Sequence, residues 1–225
     1  MLSDIELCVF DAYGTLYDFN SAVARHRVTI GAKADSLTEM WRSKQIQYTW
    51  LRNSMGVYAK FWDVTGAALD HCLAAHGIAD RSVHDALMGA YLALDPFPEV
   101  PATLAQLKRA GTRLAILSNG NSEMLDPMVE ASGLADAFEA VLSVDAVGVF
   151  KPDARVYRLV EARCGVKPGK VCFLSSNCWD AHGAAHFGFS TVWVNRAGAP
   201  DDALPGKPVA RINDLSQLPS LLGVS

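Results

Sequence analysis

The strongest pattern along the chain is a set of short apolar runs, each ending on polar residues. They are IELCVFD (5–11), TRLAILSN (112–119), EAVLSVD (139–145), KVCFLSSN (170–177) and STVWVNR (190–196). Several are apolar at consecutive positions instead of alternating, the pattern of strands covered on both faces. The intervening stretches near 100–110, 121–132, 153–164 and 179–187 read as helices. From about residue 98 onward strand and helix alternate. That predicts an α/β fold built on a parallel sheet with right-handed crossovers.

Residues 16–96 differ. They show no convincing strand and several helical stretches. SLTEMWRSKQIQYTWLRN (36–53) opens with a capping-box pattern, Ser36 followed by Glu39. Leu37, Met40, Trp41, Lys44, Tyr48 and Leu51 then recur at helical spacing. Further helices are predicted near 58–76 and 80–93, and LDPFPEVP (94–101) reads as a proline-rich connector. A helical insertion of about 80 residues therefore separates the first strand from the rest of its sheet.

In open α/β sheets ligands bind outside the carboxyl ends of the strands. The polar residues there are Asp11, Ser118 and Asn119, Asp145, and Ser175 to Asn177, with Lys151 a short loop beyond the third run. The insertion leaves the same edge just after Asp11, where it can form a lid. By itself Asp11 reads equally as a metal ligand, a nucleophile or a turn residue.

Composition narrows the options. The 225 residues are 50% hydrophobic and 20% charged, enough for a sizeable core in one or two domains. A net charge of -4 gives no global attraction to nucleic acid or an anionic membrane, so any bound anion must be captured by local positive charge. Asp4 and Glu6 leave no room for a signal peptide before the first strand, and no apolar run reaches the ~20 residues of a membrane helix. Five cysteines without C-x-x-C spacing read as reduced thiols in the cytosol, with Cys178 marked out by its neighbours. His182 and His186 stand four apart, but they lack the glutamate of H-E-x-x-H and a clear third ligand, which argues against a zinc pair.

FDAYGTL (10–16), LSNG (117–120), FKPDARVY (150–157) and SSNCWDAHGA (175–184) occur in that order, with the helical insertion after the first. In this the chain resembles the haloacid dehalogenase superfamily over nearly its whole length. WRSKQIQYTWLR (41–52) and SSNCWD (175–180) resemble the L-2-haloacid dehalogenases in particular. The resemblance implies a Rossmann-like three-layer core of residues 1–15 and 97–225 with an inserted helical cap of residues 16–96. It implies conversion of (S)-2-haloalkanoates to (R)-2-hydroxyalkanoates through an aspartyl ester. It further implies no metal or organic cofactor and a homodimer, while the cytoplasmic location is the reading of the reduced thiols.

Most members of the superfamily are D-x-D phosphatases that use Mg²⁺. Here Tyr13 stands in place of the second aspartate, and Ser175 and Ser176 replace the glycine and metal-binding aspartate of a later motif, leaving Asp180. Mg²⁺ takes about six oxygen ligands with charge from carboxylates, and one such carboxylate is gone. The missing proton donor is tolerable when the leaving group is a halide and harmful for most phosphate esters.

By resemblance Asp11 is the nucleophile and Arg42, with Asn119, draws off the halide. Ser118 and the turn after it hold the substrate carboxylate. Lys151 neutralises Asp11 and Asp180, and Pro152 places that lysine at a helix entrance. Tyr157, Ser175 and Asn177 support the polar network, Thr15 bonds Asp11, and Asp180 activates the hydrolytic water. Tyr13, Ile46, Phe61 and Trp179 wall an apolar pocket, with Ala12 also assigned to substrate contact, while Ser43 stands where relatives can carry a glutamine. Two rivals share the fold: a phosphate-ester hydrolase and a non-catalytic binding protein. The loss of the second aspartate opposes the first, and the joint presence of Asp11, Arg42, Lys151 and Asp180 opposes the second.

Overall fold

A computed structural model describes residues 2–224. In chain order its strands are β1 (Leu7–Phe10), β2 (Tyr17–Asp18), β3 (Asp95–Pro96), β4 (Arg113–Ser118), β5 (Ala140–Ser143), β6 (Val171–Ser175), β7 (Ser190–Val194) and β8 (Ala210–Ile212). The α-helices are α1 (Asn20–Ala24), α2 (Arg27–Ile30), α3 (Ala34–Met55), α4 (Phe61–Ala75), α5 (Arg81–Tyr91), α6 (Val100–Arg109), α7 (Ser122–Ala131), α8 (Ala154–Cys164), α9 (Cys178–Phe187) and α10 (Leu218–Leu221).

Six strands make one sheet in the order β5-β4-β1-β6-β7-β8, all pairings parallel. Every residue of β1 and β6 is buried, which is why these segments read as unbroken apolar runs. The chain builds outward from β1 through β4 to β5, then crosses back to β6 on the other side. The strand order therefore reverses at β1, where an α/β sheet opens its ligand crevice. Phe10 pairs with Ile116 on one side and Leu174 on the other. Asp11, Ser118 and Ser175 thus stand at the ends of three adjacent strands.

Helices α1 to α5 lie between β2 and β3. Three short strands escaped the sequence pattern because each is too brief to show a period. Tyr17–Asp18 pairs antiparallel with Asp95–Pro96 inside stretches read as strand-free or as connector. The edge strand β8 spans three residues, of which only Ile212 is buried.

Three local expectations are corrected. The capping box at Ser36 and Glu39 does not form, because α3 begins earlier, at Ala34, fed directly by a 3-10 turn over Gly31–Lys33. Ser36 lies inside the first turn, donating to the Lys33 carbonyl at 3.1 Å. The buried seam of α3 runs through Leu37, Trp41, Gln45, Ile46 and Thr49, while Leu51 is 49% exposed. Apolar spacing missed this because two seam positions carry polar side chains. Pro152 does not enter the first turn of α8, which starts at Ala154 with Asp153 accepting from Arg155 N at 2.9 Å.

A single buried apolar cluster joins the sheet to the insertion, running from Phe10 and Leu16 to Leu37, Trp41, Phe61 and Leu69. Each fully buried leucine contributes about 1.5–3 kcal/mol, so burial is what holds the insertion down. Polar latches fix its position. The Asn53 amide donates to Phe150 O at 2.7 Å and accepts from Phe150 N at 2.9 Å. The Tyr58 hydroxyl donates to Asp145, and Asn121 Oδ1 accepts from Trp62 N at 3.0 Å. Among the described residues no helix is long and apolar enough to cross a membrane, and all five cysteines are free thiols.

Candidate active site

The turn after β1 delivers Asp11 to the crevice. The Ala12 carbonyl anchors this turn, accepting from Leu16 N at 2.9 Å and Tyr17 N at 3.0 Å. Gly14 has φ +85°, and a Cβ there would meet Ser176 Oγ at 2.9 Å, so only glycine fits the turn against the β6 loop.

Asp11, Lys151 and Asp180 form a buried triplet, with 5%, 1% and 0% exposure. Lys151 Nζ stands 3.1 Å from Asp11 Oδ1 and 2.9 Å from Asp180 Oδ2. It also lies 4.9 Å over the Phe173 ring, whose face favours a cation. Burial pulls the Lys151 pKa down, but the two carboxylates outweigh it and hold the ammonium above its ordinary value. Burial pushes Asp180 up, against the pull of Lys151. Asp180 is the third residue of α9, where the helix dipole favours an anion, and Tyr157 donates to its Oδ1 at 2.8 Å. Asp11 Oδ2 accepts from Asn177 Nδ2 at 2.8 Å, Thr15 Oγ1 at 3.2 Å and Ser175 Oγ at 3.3 Å.

Arg42 reaches this cluster from α3. Its guanidinium donates to Asn177 Oδ1 at 3.1 Å and to the Tyr13 carbonyl at 3.4 Å, and lies 4.9 Å over the Phe19 ring. One Asn177 amide therefore spans the insertion and Asp11, accepting from Arg42 and donating to the carboxylate. Arg42 also donates to Gln45 Oε1 at 2.8 Å. Gln45 is 1% exposed, and its Nε2 donates to Thr65 Oγ1 at 2.7 Å and Tyr91 OH at 3.1 Å. Gln45 was not foreseen. The available signal was a polar residue on the buried seam three positions after Arg42.

Tyr13 packs its ring between Phe61 and Tyr91, with centroids at 5.7 and 5.3 Å. Its buried hydroxyl has no hydrogen-bond partner among the described residues, and burial raises its pKa well above the ordinary value. A Cβ on Gly120 would lie 2.9 Å from this hydroxyl, so the tyrosine presses against the turn after β4. In that turn Ser118 is fully buried and its Oγ accepts from Gly120 N at 3.1 Å, so one of the N–H groups foreseen for an anion already has a partner. Asn119 Oδ1 accepts from Lys151 N at 2.9 Å, tying β4 to the lysine backbone.

A cleft of about 480 Å³ opens beside the cluster, lined among others by Gly14, Phe19, Arg42, Asn177, Trp179 and Arg196. Trp179 meets Trp50 edge-on at 5.4 Å. Ile46 and Phe61 are buried and do not line this cleft. Arg196, also unforeseen, donates to Thr15 O at 2.8 Å, pairs with Glu99 at 2.6 Å and lies 3.7 Å over Phe97. A larger cavity of about 620 Å³, between α4 and α5, is lined by none of the candidate site residues.

The chain is similar to several known proteins. A family model of haloacid dehalogenase-like hydrolases matches residues 5–188. The chain is 44% identical to (S)-2-haloacid dehalogenase 1 of Pseudomonas sp. (strain CBS-3), covering 98% of each chain. It is also 44% identical to (S)-2-haloacid dehalogenase 4A of Burkholderia cepacia, covering 99% of this chain and 96% of the other. The L-2-haloacid dehalogenase of Xanthobacter autotrophicus, solved with chloropropionic acid covalently bound, superimposes with a TM-score of 0.89 at 38% identity, over 96% of this chain and 98% of that one.

The buried groups set a pH dependence. The fold holds the Lys151 proton more tightly than the unfolded chain does, and burial does the same for the phenols of Tyr13 and Tyr157. Their contribution to stability is complete below the unfolded values, about 10 for tyrosine and 10.4 for lysine, and is lost as pH rises through the higher folded values. The melting temperature should therefore start to fall near pH ~10 and keep falling beyond it. A flat profile through about pH 11.5 would contradict this reading of the cluster.

Proposed function

The chain belongs to the haloacid dehalogenase-like hydrolase family, and we propose that within it the chain acts as an (S)-2-haloacid dehalogenase, a hydrolase of carbon–halide bonds. The observation that carries this reading is Lys151 bonded to both Asp11 and Asp180 in a site where Tyr13 and Ser176 stand in place of two carboxylates. An ammonium between the two remaining carboxylates supplies the positive charge that a metal would otherwise bring, so turnover needs none.

The reaction runs in two steps. A short (S)-2-haloalkanoate enters the cleft, its carboxylate held at Ser118 and the turn that follows. Asp11 attacks C2 in line with the carbon–halogen bond. The C–O bond forms as halide leaves with the bonding pair, inverting C2 and giving an aspartyl ester. Arg42 and Asn119 take up the charge growing on the halogen, which a guanidinium does without yielding a proton. Orientation alone is worth up to ~7–11 kcal/mol when the reacting atoms are well aligned. Water then gives a proton to Asp180 and attacks the ester carbonyl carbon of Asp11. The bond from the Asp11 carbonyl carbon to the substrate oxygen then breaks, Asp180 returns its proton to the departing alkoxide, and the (R)-2-hydroxy acid leaves. The Asp11 acid loses its proton to solvent and the carboxylate is restored. A carboxylate raised by burial is a better base than an exposed one, which suits Asp180 to this step.

In this reading residues 16–96 are the cap over a core of residues 1–15 and 97–225, and Trp179 lines the space for the alkyl group, with Ala12 beside the nucleophile and the Tyr13 ring packed on the buried Phe61. A homodimer is part of the proposal: Trp50, Leu51, Met55 and Val57 leave an exposed apolar stripe at the end of α3 and just beyond it, suited to a second copy. Five free thiols suit a cytoplasmic location.

Chloride release from (S)-2-chloropropionate, giving (R)-lactate and persisting in excess EDTA, tests the reading. Comparable rates for the two enantiomers, or activity lost in EDTA and restored by Mg²⁺, would overturn it. Gln45 generates a second test. Gln45→Leu removes the acceptor that aims Arg42, and kcat should fall about 10–100-fold. The loss should be larger for the chloro than for the bromo substrate, because the poorer leaving group leans more on Arg42. Equal losses for both halides would assign Gln45 to packing alone.

A further inference from the structure

We propose that Cys178, His182 and Asp201 form a zinc-binding site beside the mouth of the cleft, clamping the loop after β7 onto α9. Cys178 opens α9 and His182 stands one turn later, so the two side chains share a helix face. The partner of His182 is thus Cys178 and not His186, and the third ligand missing from the sequence comes from a loop 19 residues on. Asp201 Oδ1 lies 2.8 Å from His182 Nε2 and 3.5 Å from Cys178 Sγ. One donor atom from each residue falls within 4.8 Å of the others, close to the spacing around a single tetrahedral ion. Asp202 also bears on Cys178 and lines the cleft, adding negative charge.

The site is built in advance. Asn195 brackets the start of the loop, its amide donating to Ala199 O and accepting from Ala199 N, both at 2.9 Å. Gly206 closes the other end at φ +76°, where a Cβ would lie 2.4 Å from His186 N and 2.5 Å from His182 O. His182 is 1% exposed and its Nδ1 has no partner among the described residues, so the ring is oriented from its Nε2 side alone.

A thiol, an imidazole and a carboxylate are a donor set that Zn²⁺ takes, and a thiol with an imidazole is too soft a pair for Mg²⁺ or Ca²⁺. The hydrogen bond from His182 keeps Asp201 below the usual carboxylate range, hence ionised. Burial pushes the Cys178 thiol up to about 12, so it is protonated when no metal is bound. Binding therefore displaces the Cys178 thiol proton to solvent as the S–Zn bond forms, and moves the His182 proton from Nε2 to Nδ1 as the N–Zn bond forms.

Co²⁺ serves as the spectroscopic probe on the intact protein, with zinc as competitor. The expected result is a near-ultraviolet thiolate-to-cobalt charge-transfer band that zinc abolishes and that Cys178→Ser lacks. Asp201→Asn, at an exposed position, should weaken binding by about tenfold or more while leaving the fold intact. Absence of the band at millimolar Co²⁺, or unchanged affinity in Asp201→Asn, would overturn the proposal. Neither readout uses halide release, so either outcome leaves the dehalogenase reading to its own test.

Discussion

A lysine ammonium buried between two carboxylates is the interaction on which the rest of the site depends. Removing charges from water costs several kcal/mol per ion, and the cost is met only where geometry and further hydrogen bonds are good. Here Lys151 bonds both Asp11 and Asp180, Tyr157 takes the remaining oxygen of Asp180, and Asn177, Thr15 and Ser175 donate to that of Asp11. The triplet sums to one negative charge, and Arg42 nearby brings the group to neutrality. Loss of one member of such a set typically costs about 3–5 kcal/mol, because it strands a buried charge. The cluster therefore ties three distant parts of the sequence to one point at the sheet edge.

The helical insertion joins this cluster through few contacts, and each lands beside a charged group. Asn53 grips the backbone of Phe150, the residue before Lys151. Asn177 stands between Arg42 and Asp11. Gln45 holds Arg42 from behind, supported by Thr65 and Tyr91. Arginine on a mobile helix would be a poor anion receptor. Held at several points, it offers its donors without further reorganisation, and electrostatic stabilisation in a site sheltered from water needs that condition.

Five strands were legible in the sequence because their mostly buried residues leave short apolar runs, unbroken in β1 and β6. β8 was not, since a three-residue edge strand with one buried side chain carries no period. Asp11, Lys151 and Asn177 stood out because polar residues at the ends of apolar strands gather at one edge; the family pattern added Asp180 and gave all four their roles. Gln45 and Thr49 stayed hidden, since a polar residue on an apolar seam reads as an interruption until its partner is seen. The contact of His182 with Asp201 carried no local signal, since Asp201 comes from a separate loop 19 residues on. The capping box failed for a related reason, as a local signal at Ser36 was overridden by a helix already under way.

The proposed mechanism requires Asp11 to be a covalent nucleophile whose ester is opened at its carbonyl carbon. A single turnover of (S)-2-chloropropionate in ¹⁸O-water, with enzyme in excess, tests this most directly. With Asp11 as the nucleophile, the label enters the peptide containing Asp11 and the hydroxyl oxygen of the product comes from the enzyme. Solvent ¹⁸O in the product during that first turnover, with Asp11 unlabelled, would mean that water attacks C2 itself and would contradict it.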